Sequence, residues 1–454
     1  MGLSVVILAA GMGKRMKSKM PKVLHPIAGK PMVKHVIDSA TKLNPGNIVM
    51  VYGHGGDQVK ASLADIDLAW AEQTELLGTG DAVARAIPHL ADDDVVLILY
   101  GDVPLITSET LTRLMLASEG GNVGLLTVIL ENPRGYGRIV RDGVDGPVTR
   151  IVEEKDASAA EKCITEVNTG LMSVGKLQLE KWLKNLNNDN AQGEYYLTDI
   201  IEMAVAEGLR VNAVNPESEA EVTGVNDRQQ LAMLERVYQS ERADELLKNG
   251  LYLLDPARFD IRGEIEFGFD CSIDINCVIE GKVKLGDGVS IGPNCVIKDS
   301  VIGDNTQINE NSVLDNAEVG SGCKIGPFAR LRPNAQLKDE VHVGNFVEVK
   351  KSVIGNGSKA NHLAYIGDAE IGKNSNIGAG TITCNYDGVN KSKTIIGDEV
   401  FIGSDTQLVA PVTVEDGATV AAGTTVTKMV PAGALAITRV PQKTIQNWPK
   451  PKKK

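Results

Sequence analysis

The chain has 454 residues, and 47 Lys and Arg against 59 Asp and Glu give it a net charge of −12. At roughly 100–200 residues per domain this length holds two to four domains, and a composition 43% hydrophobic and 23% charged is that of a folded globular protein. An acidic chain without a long basic stripe is a poor partner for nucleic acid. The longest apolar runs, residues 5–10 and 95–99, fall far short of the ~20 residues of a membrane span.

No basic segment precedes residues 5–10, and Val6 stands where a myristoylation signal needs Ser or Thr, so no secretory or lipid signal is expected. Six cysteines without a CxxC pair argue against a disulfide framework and a zinc site, which points to a cytoplasmic protein. Aromatic residues make up only 4% of the chain, against 47 glycines. The core must therefore be built from small and β-branched aliphatics.

In chain order, residues 4–10, 47–52, 95–100 and 124–129 are short apolar runs bounded by Gly, Asp or Asn, and read as buried strands. Residues 34–42, 79–86 and 108–117 read as helices between them. This alternation predicts an α/β domain over residues 1–226, with a Rossmann-like parallel sheet covered on both faces. Residues 227–249 then form one amphipathic helix, with Leu231, Leu234, Tyr238 and Leu246 at helical spacing. Gly250 is its stop, so 227–250 is a linker helix.

From about residue 260 an aliphatic residue recurs every six positions. Ile279, Leu285, Ile291 and Ile297 keep step, as do Ile302, Ile308 and Leu314; Ile325, Leu331, Leu337, Val343 and Val349 continue it, then Ile402, Leu408, Val414, Val420 and Val426. Four positions after each stands a small residue, such as Val289 or Ser312. This is the hexapeptide repeat of a parallel β-solenoid, predicted over 251–454. The aliphatic points inward on one flat face and the small residue sits by a corner, with coils stacked at ~4.8 Å. Cys277, Cys295 and Cys323 fall in the small inward slot and read as filler. Such repeats resemble those of the hexapeptide acyltransferases, whose β-helix is left-handed.

The chemistry of the first half begins at Leu8-Ala9-Ala10-Gly11-Met12-Gly13-Lys14-Arg15, directly after the first strand. Glycines there let backbone N–H groups approach a phosphate, and the cations add charge. The segment is neither a Walker loop nor a full dinucleotide fingerprint, and an ordinary strand-to-helix turn would read the same way. Pro21-Lys22 supplies another cation. The strand 95–100 ends in Gly101-Asp102, a carboxylate where α/β sheets bind ligands. Magnesium takes one or two protein oxygens and completes its shell with phosphate and water. A turn or cap would equally explain Asp102.

Together with Gln73, Gly78-Thr79-Gly80, Gly135-Tyr136-Gly137-Arg138, Glu153-Glu154-Lys155, Val167-Asn168-Thr169-Gly170 and Gly224-Val225-Asn226, these segments resemble the sugar-nucleotide pyrophosphorylase family. Joined to a hexapeptide β-helix, the whole chain is similar to the bacterial bifunctional uridyltransferase–acetyltransferases of UDP-N-acetylglucosamine synthesis. Those enzymes feed peptidoglycan and lipopolysaccharide precursors. The resemblance implies that Leu8, Ala9, Ala10, Gly11, Gln73, Gly78 and Thr79 hold UTP, with Tyr100 and Gly101 beside them and Lys22 facing the phosphates. Gly137, Glu153 and Asn168 would hold N-acetylglucosamine 1-phosphate. Asp102 and Asn226 would coordinate Mg2+, although Asn226 also reads as the N-cap of the helix after it. Arg15 would stabilise charge on the departing pyrophosphate.

In the second half, departures from the repeat are the informative places. Residues 383–393 interrupt the hexads between Ile377 and Ile396, and Asn361-His362-Leu363-Ala364-Tyr365 brings a histidine into one hexad. Acetyl transfer to an amine needs a base near neutral pH, and His is the suitable side chain. The resemblance implies His362 as general base, and Arg332, Lys350, Tyr365 and Asn376 as ligands of glucosamine 1-phosphate. Ala379, Asn385, Tyr386, Ser404, Ala422 and Arg439 would line the acetyl-CoA and sugar sites, in a homotrimer. His342 reads as an outward, solvent-facing residue, and direct transfer gives Cys384 no role as nucleophile. The lysine-rich tail 450–454 reads as a solvated end, with contact to the CoA phosphates as the alternative. A single-activity pyrophosphorylase with a structural or regulatory β-helix is the alternative. A non-catalytic scaffold is disfavoured by the mixed outward residues Lys284, Ser290, Lys298 and Gln307.

Overall fold

The structure, a computed structural model, describes residues 2–143 and 145–449; the tail 450–454 lies outside them. The chain divides into two compact units, Met1–Tyr238 and Gln239–Lys454.

The first unit runs β1 (Leu3–Ala9), α1 (Met32–Thr41), β2 (Asn47–Tyr52), α2 (Gly56–Ser62), β3 (Ala69–Glu72), α3 (Thr79–Ala86), β4 (Val95–Tyr100) and α4 (Ser108–Leu116). It continues with β5 (Val123–Ile129), β6 (Arg138–Arg141), β7 (Val148–Val152), β8 (Glu166–Gly175), α5 (Lys176–Leu183), α6 (Ile200–Ala206), β9 (Val211–Val214) and α7 (Arg228–Lys248). The main sheet has the order β9-β5-β8-β4-β1-β2-β3, with β6 and β7 branching from β8. β1 pairs in parallel with β2 on one side and β4 on the other. The expected all-parallel sheet is corrected at β8, which runs antiparallel to both β4 and β5.

Alternation along each strand builds the two cores. Val5, Ile7, Leu97 and Leu99 meet Val33, Val36 and Ile37 of α1 and Leu111 and Leu114 of α4. Val6, Leu8, Val96 and Ile98 meet Val83 of α3, Trp182 of α5 and Ile200 of α6. Both faces are thereby sealed, and the open part of the sheet is its edge at the carboxyl ends of β1 and β4, where neighbouring connections leave in opposite directions. The helix expected over 227–249 is α7. Its Leu234 lies in a core of the first unit, its Ala243 and Leu246 in that of the second.

The second unit is a parallel β-helix. Val278 lies beside Val296 and Lys284 beside Val301, so a coil takes 18 or 17 residues, about three hexads. Every aliphatic residue named above as periodic is buried in one continuous core. The small slots hold Cys277, Cys295 and Cys323, all buried, and Ser312, which is fully enclosed. Their polar atoms are not wasted: Ser358 Oγ donates to the Gly372 carbonyl at 2.7 Å and accepts the Ser375 N–H at 2.8 Å, one coil on. Most interior hydroxyls can be paired in this way, although Thr394 Oγ1 is buried without a partner. Asn at positive φ turns several corners, for example Asn276, Asn294, Asn311 and Asn334.

The interruption enters as a loop that lengthens one coil, so that Ile371 pairs with Ile396. Thr383 and Cys384 stay in the strand Ile382–Cys384, and the excursion starts after them. It is ordered by a bridge between Tyr386 and Lys391 and by Asp387, which accepts the Val389 and Asn390 N–H groups. Among the described residues, no helix is long and apolar enough to cross a membrane.

This packing makes inward and outward positions of one hexad unequal. Ile325→Ala removes a fully buried side chain from a prism that cannot collapse sideways, and should cost about 2–5 kcal/mol. Lys324→Ala, one residue before it and exposed, should stay within about 0.5 kcal/mol. Urea denaturation followed by circular dichroism compares the two.

Candidate functional sites

The first unit holds a cavity of about 320 Å³ at the carboxyl ends of β1 and β4. Leu8, Ala9, Ala10, Gly11, Lys22, Gln73, Gly78, Thr79, Tyr100 and Asp102 all line it. The turn that carries Lys22 depends on a close approach: Gly13 has φ +57°, and a Cβ there would stand 2.8 Å from that of Lys22. Gly78 is under a similar constraint, with φ +114° and the Tyr195 carbonyl 2.6 Å from any added Cβ. Arg15 is exposed on the turn Lys14–Met16, whose Met16 is buried, and does not line the cavity.

At one end of the cavity Lys22 Nζ donates to Asp102 Oδ2 and to Asn226 Oδ1, the latter at 3.3 Å. Asn226 is free for this because it is not the cap of α7. Asp227 fills that role, accepting the Gln229 and Gln230 N–H groups at 2.9 Å each, while Gln230 Oε1 reaches back to the Asn226 N–H at 2.7 Å.

Gly137, Glu153 and Asn168 come together beside this end. The Asn168 N–H donates to the Gly137 carbonyl at 2.8 Å, and a Cβ on Gly137 would lie 3.5 Å from Glu153 Oε1. β8 slips register between Asn168 and Met172, and Asn168 Oδ1 accepts the Gly170 N–H at 2.9 Å across that bulge. Glu153 accepts from Thr198 Oγ1 at 3.0 Å. Burial pushes the Glu153 carboxyl above its ordinary pKa; the Thr198 hydroxyl opposes this, and the charges of Asp199, Asp156 and Glu194 add to it. Tyr100 is pushed up by burial and then by Asp102 and Glu153. Sequence reasoning missed Val23, Leu76, Ala82 and Glu194 in the cavity wall. Glu194 comes from a distant loop that carries no local motif.

On the β-helix, His362 is exposed at the end of the strand Lys359–His362, and its Nδ1 lies 2.9 Å from Asn345 Oδ1. An amide oxygen only accepts, so Nδ1 carries the proton in this contact, which leaves Nε2 as the acceptor nitrogen of the neutral tautomer. Asn345 stands 17 residues before His362, on the coil below. The corner beside His362 then repeats upward. The Gly380 N–H donates to Leu363, Asp405 to Ala379, and Gly423 to Ser404, while Arg439 Nη2 reaches the Ala422 carbonyl at 3.4 Å. His362, Ala379, Ser404, Ala422 and Arg439 thus share one corner column.

The cationic residues gather at the far end of the short strand Tyr365–Gly367. Arg332 pairs with Glu348 at 2.8 Å, and Glu348 lies beside Tyr365. Lys350 pairs with Asp368 at 3.4 Å, and Asp368 also accepts from Asn385 Nδ2 at 2.5 Å. Lys391, on the excursion, is held below the usual lysine pKa by Lys350 next to it. It lines a cleft of about 420 Å³ with Lys351 and Lys393, and also with Asp368 and Glu370, the carboxylates that pair with those two lysines. Tyr386 is exposed, its hydroxyl donating to the Gly388 carbonyl at 2.5 Å. Asn376 lies beside Lys359 and Phe401, on the face that ends at the His362 corner. His342 alternates with the buried Val341 and Val343, as expected of an outward slot, and is half-buried beside Lys324 and Lys359 of adjacent coils. Burial pushes the Cys384 thiol up, a poor state for a nucleophile.

The raised pKa of Glu153 gives a stability test. Well below the carboxylate range, folded and unfolded chains both carry this proton. As pH rises the unfolded chain ionises first, so stability falls between the ordinary pKa and the raised folded one. Glu153→Gln keeps an oxygen for Thr198 but cannot ionise. Its melting temperature should exceed that of the wild type at pH 7, with the gap closing toward pH 4. An equal gap at both pH values would contradict the shift.

Comparison with known proteins agrees with this division. Residues 5–144 match the family described as MobA-like NTP transferase domain, residues 261–337 the GMPPB C-terminal domain, and residues 393–428 the hexapeptide repeat of succinyl-transferase. A solved nucleotidyl transferase from Methanothermobacter thermautotroptrophicus is 18% identical over 55% of this chain and 99% of its own, with a TM-score of 0.38. The chain is a transferase in which a Rossmann-like nucleotidyltransferase domain precedes a left-handed β-helix of hexapeptide acyltransferase repeats.

Proposed function

We propose that the chain acetylates glucosamine 1-phosphate with acetyl-CoA and transfers a uridylyl group from UTP to the resulting N-acetylglucosamine 1-phosphate. The observation that carries the two-activity reading is His362. Its proton is committed to Asn345 on a β-helix corner, where a structural repeat has no use for an oriented imidazole.

In the first unit the sugar phosphate oxygen attacks the α-phosphorus of UTP, and pyrophosphate leaves. Such displacement needs positioning and charge neutralisation more than proton transfer. Asp102 and Asn226 converge on one ammonium, that of Lys22, so their oxygens already face a point that favours positive charge. Among the described residues there is no cluster of three or more His, Cys, Asp or Glu able to hold a metal. A pair of oxygen donors next to a phosphate cavity suits Mg2+, which takes few protein ligands. Asp102 and Asn226 would hold it, and it would supply neutralisation of phosphate charge. Lys22 is a second cation on the same wall, and Glu153, Asn168 and Gly137 form the pocket for the acetamido sugar.

In the second unit His362 Nε2 takes a proton from the glucosamine amine as the nitrogen attacks the thioester carbonyl; the C–S bond then breaks and CoA leaves as its thiol, taking that proton back from the imidazole. Arg332, Lys350 and Lys391 bind the sugar phosphate, and the corner column from Ala379 to Arg439 receives the CoA chain. The three-residue strand Tyr365–Gly367 spans about 7–10 Å at ~3.3 Å per residue, which sets the phosphate end apart from the base.

The reading is tested by supplying glucosamine 1-phosphate, acetyl-CoA, UTP and Mg2+, omitting each in turn, and following CoA and pyrophosphate. It fails if neither appears. Asp102→Asn should lower uridylyl transfer by about 10²-fold or more while leaving acetyl transfer intact. His362→Ala should lower acetyl transfer by about 10²–10⁴-fold near neutral pH and leave uridylyl transfer unchanged. That deficit should shrink as pH rises, because free amine then accumulates without a protein base. Equal loss of both activities would instead indicate a folding defect.

A further inference from the structure

Gln73 is only 4% exposed and stands in the wall of the first unit's cavity. Its amide is held from one end. Nε2 donates to the Gly78 carbonyl at 3.0 Å and to Asp81 Oδ2 at 2.9 Å. Asp81 is fixed in turn by Arg85, whose Nη2 and Nε reach the other carboxylate oxygen at 2.9 and 3.2 Å. Both amide protons of Gln73 are therefore used, and among the described residues no donor meets Oε1. The oxygen is the end left for a ligand.

Asp81 and Arg85 would have an ordinary role even without Gln73. An acid in the first turn of α3 suits the helix dipole, and the pair is spaced i,i+4. That role does not require a bond to Gln73. A glutamine free to turn over could offer either an acceptor or a donor to a base. Turning this one over would set its oxygen against the Asp81 carboxylate and the Gly78 carbonyl at once.

We propose that Asp81, backed by Arg85, sets the base specificity of the nucleotide cavity by locking Gln73 with its carbonyl toward the base. The inference rests on reading the cavity as a nucleotidyl-transfer site. A fixed acceptor pairs with the ring N3–H of uracil. It meets the N3 of cytosine lone pair to lone pair, and in a buried wall neither group has another partner. The residue that determines specificity then lies behind the one that touches the base, and Asp81 is a positioning residue.

The test measures kcat/KM of the full chain for UTP and CTP, each with N-acetylglucosamine 1-phosphate. The wild type should prefer UTP by about 10²-fold or more. In Asp81→Asn, the donor-only guanidinium of Arg85 claims the single side-chain oxygen, and the NH2 turns toward Gln73. The preference should fall about tenfold or more. Adding Arg85→Leu to Asp81→Asn lets the asparagine oxygen return to Gln73, and the preference should recover toward the wild-type value. Because each ratio is taken within one sample, partial unfolding does not move it. An unchanged UTP:CTP ratio in Asp81→Asn overturns the proposal, as does a wild type that uses both nucleotides equally. A wild type that turns over neither nucleotide overturns the nucleotidyl-transfer reading and this proposal with it.

Discussion

In a parallel pair the hydrogen-bond ladder decides which residues stand side by side, and a strand cannot pair in parallel again until the chain has come back to its starting edge. Both units obey this rule with different return paths. In the first, Leu8 lies beside Tyr100 and Val51, and the returns are helices. In the second, Val349 lies beside Leu331 and Ile366, and the return is the rest of the coil. Either way the places where backbone leaves the ladder line up. Gly11 and Asp102 follow β1 and β4 by two residues each, and His362 ends its strand beside a corner. The candidate site residues sit at those exits, where side chains are aligned by the ladder and yet free of the core.

The overall charge of −12 makes large polyanions poor partners but leaves room for small anions, since some cations are grouped. Lys22 is countered by Asp102, and Lys350 by Asp368. Each pair keeps its cation oriented, and under the proposed function an incoming phosphate would compete for it. Lys391, on the excursion, is held below the usual lysine pKa by its neighbour Lys350, with Asp368 opposing the shift. An acidic protein can thus hold strongly basic points without a basic surface.

The β-helix was legible almost to the residue, because its rule is local: the same slot recurs every six positions and the periodic aliphatics, Ile279 to Val426, all fell inside. Strands β1, β2 and β4 were legible for the related reason that continuous apolar runs announce burial on both faces. β8 was not, since Glu166–Gly175 mixes Asn, Thr and Gly with its apolar residues and its antiparallel insertion depends on partners far away in sequence. Motifs that are contiguous, such as residues 8–11 and 100–102, put most of the first cavity on the page. What escaped was whatever acts through a neighbour: Glu194 from another loop, Asn345 behind His362, Thr198 behind Glu153, Asp81 behind Gln73. Asn345 alone left a trace, a polar residue one coil length before the histidine.

The corner column beside His362 climbs through Gly380, Asp405 and Gly423 to the level of Arg439, one coil at a time. At a rise of ~4.8 Å per coil, four steps make about 19 Å. The β-helix therefore behaves as a ruler whose graduations are backbone hydrogen bonds. A long, thin acyl carrier laid along it would be gauged for length as well as for chemistry, because its reactive end meets the imidazole only if its far end comes to rest a whole number of coils away.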